Sequence, residues 1–173
     1  MALKKIVIYP DSVLREICEP VEPGEPLSRL LDDLAESMYA NKGVGLAAPQ
    51  IGVTSRVAII DVDQRDGEPR LIELVNPEIL STADEVVEGD EGCLSFPGEF
   101  EKVRRFSRVT VKAMDRNGQA FELTAEGLLA RALQHEIDHL DGVLFIDYLS
   151  RLKRSMMERR MKKAAKKAAS SRS

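Results

Sequence analysis

The chain has only two histidines, and they stand four residues apart in His135-Glu136-Ile137-Asp138-His139. On a helix, residues four apart differ by only about 40° around the axis, so both imidazoles face the same way. Two neutral imidazoles can ligate a divalent cation. Glu136, beside the same face, can then take a proton from water that the cation acidifies. This is the H-E-x-x-H pattern of metal-dependent hydrolases. The plain alternative is an exposed helix face that carries these residues by chance. It is disfavoured because the whole histidine complement sits on one face.

A catalytic site of this type has three protein ligands and one position left for water. The third ligand decides the enzyme class. A metzincin continues with x-x-Gly-x-x-His; Gly142 fits, but Phe145 stands where the ligand belongs and cannot bind metal. A thermolysin-like metalloendopeptidase would use a glutamate further downstream, and Glu158 is the candidate. The other candidate is Cys93, in Glu91-Gly92-Cys93-Leu94-Ser95. A thiolate is a soft ligand for zinc or ferrous iron, and the preceding glycine lets the backbone come close. Most free cysteines are small buried hydrophobes, a reading that suits Cys18 better than a Gly-Cys step among acids. A third, non-enzymatic reading makes the metal structural and the protein a ribosome- or RNA-binding module. A structural site closes with a fourth ligand, and no further Cys or His is at hand.

Residues Gly43 to Gln50 form a glycine-containing stretch that lacks the Lys-Ser/Thr ending of a phosphate loop, which argues against nucleotide binding. Gly45 would let a substrate backbone lie alongside as an added strand. The plain reading of the stretch is a turn, with Gln50 capping it.

These residues need elements to hold them. With 173 residues, 43% hydrophobic and 31% charged, the chain can build one sizeable core and is not disordered in bulk. Two cysteines exclude a disulfide-stapled scaffold. No apolar run approaches membrane-spanning length, and Ile6 to Tyr9 is too short for a signal-peptide core. The expectation is a cytoplasmic protein with no membrane partner. Pro10 to Val21 reads as irregular, with a short turn at Ser12 to Glu16. Leu27, Leu30, Leu31, Leu34 and Met38 recur at helical spacing between Pro26 and Gly43. Arg56 to Asp61 and Arg70 to Val75 read as strands joined by a turn at Asp66-Gly67; Asn76-Pro77 breaks the pattern, and Glu78 to Val87 reads as another strand. Val109 to Leu123 reads as a hairpin turning at Asn117-Gly118. A second helix is predicted from an N-cap at Thr124 to a stop at Gly142. A third starts near Ser150 with a weak stripe of Leu149, Leu152, Met156 and Met161. Helices at both ends of an antiparallel run predict an α+β fold. Its antiparallel sheets would pack around a central helix that carries the metal-binding histidines, with a C-terminal helix.

The net charge of -4 conceals an asymmetry. From Arg151 onward there are ten Lys or Arg and one acid, Glu158, a balance of +9 against -13 in the body. We therefore divide the chain into a catalytic domain, 1–149, and a basic C-terminal helix with a frayed tail, 150–173. The basic segment suits an anionic partner such as nucleic acid or a ribosome surface, while composition by itself favours the plainer reading of a solvated helix with a frayed end.

Three segments resemble, in this order, the signatures of bacterial peptide deformylases. They are Gly43-Val44-Gly45-Leu46-Ala47-Ala48-Pro49-Gln50, Glu91-Gly92-Cys93-Leu94-Ser95 and Gln134-His135-Glu136-Ile137-Asp138-His139. The resemblance extends from Pro10-Asp11 through Leu149. It implies hydrolysis of the N-formyl group from nascent formyl-methionyl peptides, releasing formate. It implies one divalent ion held by Cys93, His135 and His139, usually Fe²⁺, with Zn²⁺, Ni²⁺ or Co²⁺ able to occupy the site. Glu136 would be the general acid/base, and Gln50 and the Leu94 N–H the oxyanion donors. Val44, Gly45, Leu128 and Ala132 would line the substrate pocket. Arg131 stands where an apolar residue is expected and is placed at the pocket mouth, stem packed and head in solvent. Glu91 is expected to pair with Arg105 and hold the Cys93 loop. Enzymes of this family work at the ribosome, which gives the basic helix a partner.

Overall fold

A strand made only of apolar residues, such as Val57-Ala58-Ile59-Ile60, has no polar face and must be covered on both sides. The computed structural model describes residues 3–63 and 70–171 and shows what covers it. In chain order the elements are α1 (Glu25–Ala40), β1 (Gly45–Ala47), β2 (Val57–Ile60), β3 (Ile72–Thr82), β4 (Val86–Cys93), β5 (Phe96–Phe106), β6 (Arg108–Met114), β7 (Ala120–Glu126), α2 (Gly127–Leu140) and α3 (Arg151–Ser171). Five strands form one antiparallel sheet in the order β1-β2-β3-β6-β7, and β4 pairs with β5 in a separate hairpin. On one face of the large sheet, Val57, Ile59, Leu46 and Val75 meet Leu27, Leu31, Leu34 and Met38 of α1. On the other, Ile60, Leu74, Val109, Val111 and Ala113 meet Ala130, Leu133 and Ile137 of α2. Alternate residues of β2 thus serve opposite layers, and each large side chain so buried contributes about 1.5–3 kcal/mol. The fold is α+β, with α2 at its centre.

Several boundaries differ from those read in the sequence. Asn76-Pro77 does not end its strand. β3 runs through it with a register shift between Val75 and Glu78, and Asn76 takes a positive φ of 51°. The side chain of Asn76 bonds the backbone N–H and C=O of Val21, each at 2.9 Å, so the bulge is anchored rather than open. The stretch Glu78 to Val87 is not one strand but the end of β3, a turn and the start of β4. Thr124 is not a helix cap: it lies in β7, and its hydroxyl meets that of Thr110 across the ladder at 2.8 Å. The helix starts only at Gly127, whose φ of +61° turns the chain out of the strand. The apolar stripe of α3 holds in part: Met161 is buried and Leu149 packs against the same cluster, but Leu152 and Met156 are exposed. Met157, outside the stripe, is buried with Met161. The buried pair joins Leu14, Phe96, Val103, Phe145 and Ile146 in a third core cluster, so the first half of α3 is packed on the body. The turn expected at Asp66-Gly67 lies outside the described residues. Among the described residues, no helix is long and apolar enough to cross a membrane.

Candidate active site

α2 brings His135 and His139 to one side one turn apart, with their Nε2 atoms 3.2 Å from each other. Cys93 arrives from the end of β4, where the hairpin register slips between Gly92 and Cys93. Its Sγ lies 3.4 Å from His139 Nε2. All three donor atoms fall within 4.8 Å of one another, and no other such group of three occurs among the described residues. A tetrahedral ion with bonds of about 2.1 Å to nitrogen and 2.3 Å to sulfur spaces its ligands by about 3.4–3.7 Å. The observed separations and the donor set fit such an ion.

The nitrogen of His135 that faces away from this group is held. Its Nδ1 lies 2.8 Å from Glu91 Oε1, which leaves Nε2 free to ligate. Glu91 is buried and also receives Arg105 Nε at 2.8 Å and Nη2 at 2.9 Å. Burial alone would raise its pKa, but the hydrogen bonds from Arg105 and His135 hold the carboxyl well below the usual range. Arg105 reaches on to Asp138 at 2.6 Å, and Tyr148 donates to the same carboxylate at 2.7 Å. The Glu91–Arg105 pair therefore exists and extends back onto the histidine helix.

Glu136 is buried, and its Oε1 has no hydrogen-bond partner among the described residues. Burial pushes its carboxyl up to about 7; His135 opposes that rise and Glu91 adds to it. A carboxyl near neutrality can both accept and return a proton. The site makes room for it through Gly45. A Cβ on that residue would stand 2.4 Å from Glu136 Oε2. In the sequence, Gly45 reads only as room for substrate backbone.

Gln50 is almost fully buried in the short helical turn Ala48–Ile51. Its Oε1 accepts from the Ala47 N–H at 3.0 Å, which fixes the amide. Nε2 then points to Ser95 Oγ at 3.1 Å and lies 3.4 Å from Cys93 Sγ. Leu94 follows the thiol directly and packs toward Gly43, where an added Cβ would lie 2.8 Å from Leu94 Cδ1. A cavity of ≈ 570 Å³ is lined by Gly45, Gln50, Cys93, Leu94, His135 and Glu136. Val44, Leu128 and Ala132 line it too, the first two exposed at its rim.

Two side chains lie elsewhere than the sequence predicts. Glu158 does not join the histidines: it accepts from Tyr9 Oη and Arg154 Nε, each at 3.2 Å, and lies outside the Cys93–His135–His139 group. Arg131 does not hold its head in solvent. Its guanidinium turns inward to Glu91 Oε2 at 2.7 Å and to the carbonyls of Val103 and Val87 at 2.8 Å each. The chain Glu91–Arg105–Asp138–Tyr148, which runs from the buried site out to the surface, is legible in the sequence only at its first pair. Asp138 and Tyr148 are separated from it in sequence and carry no spacing signal.

Comparison with known proteins agrees with this geometry. The family model for polypeptide deformylase matches residues 3–155. The chain is 51% identical over 164 residues to the peptide deformylase of Acidobacterium capsulatum, covering 94% of this chain and 96% of that one. It is 48% identical over 163 residues to that of Thermodesulfovibrio yellowstonii, covering 94% and 98%. A crystal structure of a peptide deformylase from Legionella pneumophila matches with a TM-score of 0.90 at 50% identity, covering 97% of this chain and 98% of the other. One from Ehrlichia chaffeensis in complex with actinonin matches with a TM-score of 0.90 at 40% identity, covering 95% and 98%.

Fold and site together define a metal-dependent hydrolase. More narrowly, the chain belongs to the polypeptide deformylase family, whose activity is hydrolytic removal of the N-formyl group from peptides.

Proposed function

We propose that Cys93, His135 and His139 hold one Fe²⁺ ion and that the substrate is the N-terminal formyl-methionine of newly made proteins. The observation that carries this reading is the convergence of one thiol and two imidazoles beside a buried carboxylate in a lined cavity. When bound, the cation supplies a Lewis acid that polarises the formyl oxygen and acidifies water. Glu136 accepts the proton of the attacking water and returns it to the departing amine nitrogen. The Gln50 amide, already oriented by Ala47, and the Leu94 N–H donate hydrogen bonds to the formyl oxygen as its negative charge grows. Each such donor is worth about 3 kcal/mol of barrier. Val44, Leu128 and Ala132 take up the methionine side chain, and the edge of β1 at Gly45 offers backbone groups to an extended peptide.

The reading extends to a cytoplasmic protein that meets nascent chains at the ribosome. In α3, Lys153 pairs with Glu101, Arg154 with Asp147 and Glu158, and Arg160 with Glu99. Lys162, Lys163, Lys166 and Lys167 lie beyond these pairs on an exposed stretch, available to ribosomal phosphates.

The experiment is formate release from a formyl-Met peptide by anaerobically prepared protein, with metal analysis of the same sample. Wild type should hold one ion per chain and turn over. Glu136→Gln should keep the ion and lose about 10²–10⁴ of the rate. Full turnover by Glu136→Gln, or full metal content in Cys93→Ala, contradicts the assignment.

A further inference from the structure

We propose that Arg131 is a positioning residue of the metal site, which locks the carboxylate that aims His135 and ties the Cys93 hairpin to the histidine helix. The proposal rests on the reading that Cys93, His135 and His139 are the ligands.

Glu91 offers two oxygens with about four acceptor positions. Arg105 Nη2 and His135 Nδ1 occupy Oε1, and Arg105 Nε and Arg131 Nη1 occupy Oε2. The carboxylate is therefore saturated and cannot rotate without breaking a buried hydrogen bond. Arg105 alone does not achieve this. It leaves a place on Oε2, and it is shared with Asp138. Two guanidinium charges, Arg105 and Arg131, face two carboxylates, Glu91 and Asp138.

Arg105 ties the hairpin to α2 through the carboxylates of Glu91 and Asp138; Arg131 adds a second tie, to the hairpin backbone. Arg131 starts on α2, one turn before His135, and reaches both strands of the hairpin that ends in Cys93. Nη2 takes the carbonyl of Val87 on β4, and Nη1 takes that of Val103 on β5. The thiol and the imidazoles come from different elements, and this side chain bridges them. The guanidinium lies over Gly89: a Cβ there would fall 2.9 Å from Nη2 and 3.0 Å from both Cζ and Nε. Only glycine leaves that space, so Gly89 and Arg131 form one interlocked unit. A lysine could carry the charge but could not span three acceptors in different directions.

The test is the rate at which zinc-loaded protein gives up its ion to excess chelator, together with the visible spectrum of the Co²⁺ form. Arg131→Leu should release zinc about 10-fold faster than wild type, in the range seen when a partner of a ligating His is removed. Its Co²⁺ spectrum should shift. Gly89→Ala, which removes no charge, should speed release in the wild-type background and add nothing in the Arg131→Leu background. Arg131→Lys should recover only part of the loss. Arg116→Leu, which cuts a bridge to Glu73 and Asp32 away from the site, should lower thermal stability but leave release and spectrum unchanged.

Release from Arg131→Leu within twofold of wild type overturns the proposal. So does release from Arg116→Leu as fast as from Arg131→Leu, because general loosening then explains the effect. If Arg131→Leu does not fold, Gly89→Ala decides alone, and an unchanged rate overturns the proposal. Wild type that binds no zinc would instead overturn the ligand assignment itself.

Discussion

Replacing Gly45 with alanine adds one methyl group to the edge of β1 and should disable the enzyme through Glu136. The new Cβ would stand 2.4 Å from Oε2, 2.9 Å from Cδ and 3.1 Å from Cγ of Glu136, where ordinary contact begins at 3.4 Å. The carboxylate must therefore retreat by about 1 Å, because the alternative is to shift a buried strand in a close-packed core. A displacement of about 1 Å at a reacting group costs about 10²-fold in rate, or about 2.7 kcal/mol. The three nearest heavy atoms to that position all belong to Glu136 rather than to Cys93, His135 or His139, so metal content should be unchanged. Formate release measured at saturating formyl-Met peptide should show kcat reduced about 100-fold. In a Glu136→Gln background the same methyl should add much less, because the group it displaces no longer moves a proton. A Gly45→Ala protein with kcat within about threefold of wild type, with the ion bound, refutes the placement of Glu136 as proton carrier.

Truncation separates the two halves of α3. A chain ending at Leu149 loses the burial of Met157 and Met161, about 3–6 kcal/mol together, and should unfold at much lower urea. A chain ending at Met161 should keep its stability and its activity on small peptides while losing salt-sensitive ribosome binding; retained binding in sedimentation contradicts the docking role. Burial pushes the Cys18 thiol up from 9.0 to about 11. The reactive anion therefore appears only at higher pH, and alkylation of Cys18 in the folded protein should keep rising about tenfold per pH unit to near pH 11. A plateau near pH 9 would show that the thiol is not buried. Although burial opposes it, the Arg15 hydrogen bond holds Asp147 below the ordinary carboxylate range. Its contribution to stability is then complete above about pH 4 and fades as the pH falls through its lower folded value. The gap in urea midpoint between wild type and Asp147→Asn should be wider at pH 6 than at pH 2.5; an equal gap at both contradicts this.

The parts legible in the sequence are those carried by periodicity or by rare residue types. The leucines of α1 and the paired histidines of α2 announce helix faces because their spacing matches the helical repeat. The run Val57 to Ile60 announces a strand covered on both faces. β5 has no apolar alternation legible in the sequence, because Glu99, Glu101, Lys102, Arg104 and Arg105 crowd it with charge. In fact Val103 and Arg105 point inward on alternate positions and Lys102 and Arg104 outward. Arg131 on α2 shows how composition misleads: a guanidinium reads as solvent-facing until its buried carboxylate is placed beside it. The stripe of α3 is legible only at Leu149 and Met161, for a related reason. Leu152 and Met156 are as apolar as Met157 and Met161, and only the position of Phe96, Phe145 and Leu14 selects which pair is buried. The steric role of Gly45 has no sequence signal, because the atom it accommodates belongs to a residue distant in the chain.

The central claim is that one sulfur and two imidazole nitrogens bind a single ion. X-ray absorption on the zinc-loaded protein measures this directly. The account predicts one sulfur at about 2.3 Å and two imidazole nitrogens at about 2.0–2.1 Å. A spectrum with no sulfur neighbour would contradict it.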